Sequence, residues 1–270
     1  MSTFEIVVKV LASTSAVYMC FSPAPMMLRI HRQKTTGSMP VLPLVTQWSY
    51  NHIWMLYGYI AREYFPLVAT YVVGSVLSIG FLIIYYSSAS IDQRAEISRL
   101  VAATLLFNML ASVYAFIGSS WQPHDQVAQV VGATAIACGF LLYASPLATI
   151  FQVVRTKSTA SVPIAMVSVG AISNAIWIVY GVLQHDLIIV IPTVVNTGLC
   201  IVQLILFIVY HPRRPSLKAM MFRDRRREVP ASLPPVLSTK STHEDVTLEY
   251  LETSMYEELC SPLPHLAIAV

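Results

Sequence analysis

Seven apolar runs dominate the chain, at about 6–28, 40–61, 65–86, 97–119, 127–153, 163–183 and 187–210, separated by short polar loops. About 20 apolar residues of α-helix cross the hydrocarbon core of a bilayer, so each run is long enough to span it. Proline and glycine inside several runs do not argue against helices, because neighbouring helices and Ser or Thr groups satisfy the freed backbone in a membrane bundle. Beyond the last run the pattern changes. A basic stretch from Arg213 to Arg227 leads to Pro230, Pro234 and Pro235 and then to acidic positions from Glu244 to Glu258. Such a segment cannot bury a core, and 212–270 reads as a flexible cytosolic tail.

Polar and aromatic positions within the runs recur. Asn51-His52-Ile53-Trp54-Met55-Leu56-Tyr57-Gly58 returns 123 positions later as Asn174-Ala175-Ile176-Trp177-Ile178-Val179-Tyr180-Gly181. The same offset carries Ser22-Pro23 onto Ser145-Pro146, and Arg32, Lys34, Thr36, Ser38 and Pro40 onto Arg155, Lys157, Thr159, Ser161 and Pro163. An ungapped match from about 22 to about 82 marks a duplication and constrains the architecture before any other feature. Each copy contains three runs, and an odd number of spans would invert a directly joined second copy. The fourth run has no counterpart and restores the direction. The pattern predicts an all-α membrane protein of seven transmembrane helices, built as two parallel three-helix bundles joined by a linker helix (3+1+3). The first repeat occupies 1–87, the linker helix 88–122 and the second repeat 123–211. An axis along the membrane normal relates the copies.

Composition agrees: 56% of residues are hydrophobic, 11% are charged, and the mean hydropathy is +0.63. Soluble domains carry about 25% charged residues, so most of this surface is expected to face lipid. The distribution of Lys and Arg sets the orientation. Arg29, Arg32 and Lys34 lie in the first loop, Arg94 and Arg99 in the third, Arg155 and Lys157 in the fifth, and a basic cluster follows the last run. Lys9 and Arg62 stand on the other side, and the fourth and sixth loops have neither residue type. The expectation is a multi-pass protein with its N-terminus outside and its C-terminus cytosolic, in the plasma membrane by default, with an internal membrane left open. Pro23 and the basic loop after it belong to the repeat, so the first run is expected to be a retained helix rather than a cleaved signal. Cys20, Cys138, Cys200 and Cys260 show no metal spacing and read as small packing residues.

Pro43, Gln47, Asn51, Trp54 and Gly58 form one helical stripe, and Pro163, Gly170, Asn174, Trp177 and Gly181 form another. Parallel symmetry brings both stripes to a shared axis, where an uncharged polar solute can place hydroxyls on Asn and C–H groups against Trp. Pro23, Pro40, Pro43, Pro146 and Pro163 lie toward the cytosolic side, as hinges or as helix starts. Asp186 can meet Tyr57 at the outer end. His52, well inside a run, reads as a hydrogen-bonded core histidine. The scarcity of ionisable groups at membrane depth favours downhill, uncoupled transport. No nucleophile, base and orienting acid can be assembled there, so the chain is not expected to be an enzyme.

These residues resemble the SWEET sugar transporters of the MtN3/saliva family over about 6–212. The resemblance rests on Ser145-Pro146-Leu147, Arg155-Thr156-Lys157-Ser158-Thr159, Trp177-Ile178-Val179-Tyr180-Gly181, and Asp186 followed by Ile191-Pro192, together with the 3+1+3 layout. It implies bidirectional, facilitative diffusion of mono- or disaccharides, without a cofactor, with a sugar and the lipid bilayer as partners and no nucleic acid. It maps hinge prolines onto Pro23, Pro43 (or Pro40), Pro146 and Pro163, a pocket tryptophan onto Trp177, and an outer gate onto Tyr57 and Asp186, with Tyr180 as the counterpart of Tyr57. The family places an Asn pair for sugar in the third and seventh helices. Counting from the Tyr-Gly pairs finds Thr70 and Thr193 there, with Asn196 almost one turn beyond Thr193 and opposite Val73. The substrate-binding candidates are therefore Asn51, Trp54, Thr70, Asn174, Trp177, Thr193 and Asn196, and the bulk of Trp54 favours a monosaccharide. The competing readings are a carrier of another small solute such as an amino acid, as in the related PQ-loop proteins, and a seven-helix receptor. The first lacks a Pro-Gln dipeptide in this chain. The second would not be expected to contain a gapless three-helix repeat. Homo-oligomerisation is left open.

Overall fold

The computed structural model describes residues 2–37, 39–159 and 162–210. The expected tail at 212–270, including Cys260, lies outside them. The helices are α1 (Thr3–Cys20), α2 (Ala24–Gln33), α3 (Leu42–Ile60), α4 (Ala69–Ser88), α5 (Ile91–Ile117), α6 (His124–Thr156), α7 (Ile164–Leu183) and α8 (Leu187–Tyr210). A π-helical turn, Tyr64–Val68, precedes α4. Among the described residues there is no strand.

Among the described residues six stretches are long and apolar enough to cross a membrane: Thr3–Gln33, Tyr64–Ser88, Ile91–Ile117, His124–Thr156, Ile164–Leu183 and Leu187–Tyr210. The seventh expected span is α3, whose 19 residues include Gln47, Asn51 and His52. Other helices shield it: α3 packs against α4, α5 and α6, and ten of its residues are buried. Proline shapes the two first helices differently. Pro23 has no N–H to continue a helix, and the chain breaks between α1 and α2 there, whereas Pro146 stays inside α6. Helix α5 starts at Ile91 rather than at about 97, because Ser90 and Gln93 form a capping box that supports a polar first turn.

The duplication is visible in the backbone. Lys34 and Lys157, 123 apart, both end helices in the left-handed conformation at φ 54°, and Arg62 and His185, again 123 apart, have φ 59° and 53°. In each copy the third helix packs between the first and the second: α4 touches α1 and α3, and α8 touches α6 and α7. The copies meet reciprocally, α1 against α7 and α3 against α6.

The copies part company after the second turn. In the first copy Val68 N donates to Glu63 O at 3.3 Å, a π-type bond across the Tyr64–Val68 turn. In the second, α8 begins directly at Leu187. A π turn inserts one residue into a helical register. Contacts across the two helix pairs show the slip. A Cβ on Gly58 would stand 2.7 Å from Leu67 Cβ, and a Cβ on Gly181 would stand 2.8 Å from Val190 Cγ2 and 3.2 Å from Ile189 Cγ2. Leu67 and Ile189, 0% and 1% exposed, are thus structural counterparts only 122 positions apart. Along α4 and α8 this pairs Thr70 with Pro192, Tyr71 with Thr193, and Gly74 with Asn196. The expected pairing of Thr70 with Thr193 and of Val73 with Asn196 is corrected accordingly. Thr70 turns toward α1, and Val73 is 40% exposed.

Candidate functional site

A cavity of about 450 Å³ lies between the copies. Asn51, Trp54, Asn174 and Trp177, near the middle of α3 and α7, are all in its wall, with Thr193 and Asn196 from α8. The sequence-based candidates thus come together, except Thr70, which is 1% exposed and bonds Ser13 Oγ at 2.7 Å. The cavity reaches Pro146 and Pro163 at the end that carries the basic loops. Pro23, Pro40 and Pro43 are outside its lining: Pro23 ends the break between α1 and α2, Pro40 precedes α3, and Pro43 is in its first turn.

The wall combines aromatic rings with amides and hydroxyls. On the first-copy side, Tyr71 stacks on Trp54 with centroids 5.9 Å apart and an interplanar angle of 21°, and its ring lies 6.1 Å from that of Trp177. Tyr50 meets Tyr71 edge-on at 6.0 Å. The second copy adds the amides of Asn174 and Asn196 and the Thr193 hydroxyl beside Trp177 and Tyr143, and Gln47 of the first copy is also in the wall. The paired Asn residues are not equivalent. Asn51 is 1% exposed, donates to Ser78 Oγ at 3.0 Å, and fills the space left by Gly74, where a Cβ would stand 2.6 Å from Asn51 Oδ1. It ties α3 to α4. Asn174 is only half-buried, and its Nδ2 donates to Gly170 O at 2.7 Å within its own helix.

At the other end the cavity is closed by two crossed hydrogen bonds. Tyr57 donates to Asp186 Oδ2 at 2.6 Å, and Tyr180 donates to Glu63 Oε2 at 3.0 Å. Each bond runs from one copy to the other, and Glu63 and Asp186 are repeat counterparts, both with their backbone N bonded to the Gly58 or Gly181 carbonyl at 2.9 Å. Lys9, 7% exposed, lies 3.4 Å from Glu63 Oε2 and 3.5 Å from Glu5 Oε1, and Gln184 donates to Glu5 at 3.3 Å. Sequence reasoning found Tyr57, Tyr180 and Asp186 but missed Glu63 and Lys9. The 123-residue offset pointed from Asp186 to Glu63. Tyr71 was hidden by the π turn.

His52 faces α5, where its Nε2 lies 2.9 Å from Ser112 Oγ, away from the cavity lining. Cys20, Cys138 and Cys200 are free and buried, Cys20 and Cys200 in the cavity wall. Among the described residues no group of three or more His, Cys, Asp or Glu is placed to hold a metal.

The family described as "Sugar efflux transporter for intercellular exchange" (MtN3/saliva) matches residues 6–90 and 129–215, one segment in each copy. The chain is 27% identical over 202 residues to the sugar transporter SWEET1 of Drosophila pseudoobscura pseudoobscura, covering 75% of this chain and 88% of the relative. It is 25% identical over 217 residues to the bidirectional sugar transporter SWEET15 of Oryza sativa subsp. indica, covering 79% of this chain and 66% of that one. The solved structure of a eukaryotic SWEET transporter superposes with a TM-score of 0.72 at 22% identity, over 78% of this chain and all of the other, which establishes the fold. With both of its copies matched, the chain belongs to the MtN3/saliva (SWEET) family of sugar efflux transporters.

Proposed function

We propose that the protein is a bidirectional, facilitative carrier of mono- or disaccharides that works by alternating access. The observation that carries this is that one cavity combines aromatic faces with amide and hydroxyl groups. A pyranose matches both: C–H groups on one face suit Trp54, Tyr71 and Trp177, and hydroxyls suit Asn174, Asn196 and Thr193. The relatives named as sugar transporters support the same substrate class.

In the described state the Tyr57–Asp186 and Tyr180–Glu63 bonds shut one end while the cavity extends to Pro146 and Pro163 at the other. The basic loops assign the shut end to the outside. Transport then alternates this state with one in which both crossed bonds are broken and the proline end is closed, Pro23, Pro40, Pro43, Pro146 and Pro163 serving as bending points. The address is the plasma membrane, with the N-terminus outside. The repeats and the linker act as the units 1–87, 88–122 and 123–211. Among the described residues no charged side chain lines the cavity, which supports a flux that follows the sugar gradient without proton coupling.

The test is uptake of a panel of labelled sugars and amino acids in cells without carriers of their own. Sugar flux in both directions, unchanged by a protonophore or by an outside pH between about 5 and 7, is expected. Amino-acid flux without sugar flux overturns the substrate, and strong stimulation by acid overturns the uniport mechanism.

A further inference from the structure

We propose that Tyr71 sets the size limit of the cavity, restricting it to a single sugar ring. The inference rests on the sugar-carrier reading and adds a specificity residue to it. The site is built by two copies, so its two halves would be alike if the facing residues were alike. They are not. The π turn at Tyr64–Val68 brings Tyr71 to the position that Thr193 occupies in the second copy. Thr193 is half-buried, and its hydroxyl donates back to its own helix, to Ile189 O at 2.7 Å or Val190 O at 2.9 Å. It leaves open the space in front of it. Tyr71 fills the matching space with a ring.

That ring is held in place. It is 7% exposed and touches three aromatic neighbours: Trp54 stacked at 5.9 Å, Trp177 at 6.1 Å, and Tyr50 edge-on at 6.0 Å. Trp54 and Trp177 belong to different copies, so Tyr71 bridges the two halves at the top of the cavity, directly under the Tyr57 and Tyr180 rings that contact the same tryptophans at 5.7 and 5.5 Å. Aromatic pairs at these separations favour defined geometries, so the plate does not slide aside to admit a larger solute. A disaccharide with one ring against the amides of Asn174 and Asn196 and its second ring toward the shut end would place that ring where Tyr71 stands. A close-packed wall discriminates by excluded volume, and even one methylene in an apolar pocket changes specificity by about 10-fold or more.

The experiment measures uptake of labelled glucose and labelled maltose by wild type, Tyr71→Thr and Tyr71→Phe in cells without sugar carriers, with surface expression measured in parallel. Wild type is expected to move glucose and exclude maltose. Tyr71→Thr, which restores symmetry with Thr193, is expected to raise the maltose-to-glucose ratio by about tenfold or more. Tyr71→Phe keeps the ring and is expected to keep maltose excluded. If Tyr71→Thr does not reach the surface, Tyr71→Leu, which retains apolar packing, is expected to show the same gain. A surface-expressed Thr or Leu variant that still excludes maltose, or a wild type that already moves it, overturns the size limit while leaving the sugar reading intact. A wild type that moves no sugar defeats the underlying reading and the size limit with it.

Discussion

Removing the Tyr57 hydroxyl tests the crossed closure directly. In Tyr57→Phe the ring remains against Trp54, centroids 5.7 Å apart, and only the 2.6 Å bond to Asp186 is lost. Asp186 keeps its local anchor, because Ile188 N donates to its other oxygen at 2.9 Å. The change is therefore confined to the contact between the copies. A hydrogen bond to a charged acceptor contributes about 1.5–3 kcal/mol. If the bond exists only when the outer end is shut, its loss shifts the equilibrium toward outward opening by roughly 10- to 100-fold. Converting a 1:99 mixture to 99:1 needs about 5.5 kcal/mol, so one lost bond does not invert a strong bias, and the variant should still transport. A cysteine placed at Thr193, in the cavity wall, reports the shift when Cys20, Cys138 and Cys200 are replaced by Ser. Labelling from outside by a membrane-impermeant maleimide should be faster in Tyr57→Phe by about 10-fold or more. Tyr180→Phe, which removes the 3.0 Å bond to Glu63, should behave alike. Unchanged outside labelling in both variants would refute the view that these bonds hold the outer end shut.

The two asparagines should fail in different ways. Asn51→Ala opens a gap against Gly74 and leaves Ser78 Oγ without its donor, so its main effect should be reduced surface expression, by roughly 2 kcal/mol of lost packing and hydrogen bonding. Asn174→Ala should reach the surface and lose sugar uptake; equal behaviour in a paired expression and uptake assay would contradict the division. Lys9→Met removes the cation between Glu5 and Glu63 and leaves two partly buried carboxylates without it. That should lower the thermal midpoint of the purified protein by roughly 5 °C or more, and the further change Glu63→Gln should restore part of the loss; a Lys9→Met midpoint equal to wild type would count against the network.

The fold was legible because lipid leaves few options. A backbone in hydrocarbon must satisfy its own hydrogen bonds, so a run of about 20 apolar residues is a helix. The duplication then supplied tertiary information that a single sequence usually lacks. It placed Asn51, Trp54, Asn174 and Trp177 around one cavity and Tyr57 beside Asp186, and the structure brings each of these groups together. The same offset makes Glu63, in the loop beside Arg62, the mate of Asp186.

What sequence counting missed follows from one turn of backbone. Position arithmetic assumes that two copies keep one register, and the extra residue in the Tyr64–Val68 turn breaks that assumption in α4 alone. One residue rotates a helical face by about 100°, enough to exchange one wall-lining residue for another. Thr70, which counting assigned to the cavity, is turned onto Ser13, and Tyr71 takes its place. Gly74, not Val73, then faces α3, and the space beside it receives the Asn51 amide, which donates to Ser78. The Tyr71 ring in the wall and the space that holds the Asn51 amide are thus two results of one register shift. Here the shift sets the Tyr71 ring where the second copy has Thr193, and a solute with a C–H face and a hydroxyl face fits a cavity that offers aromatic rings, amides and hydroxyls together.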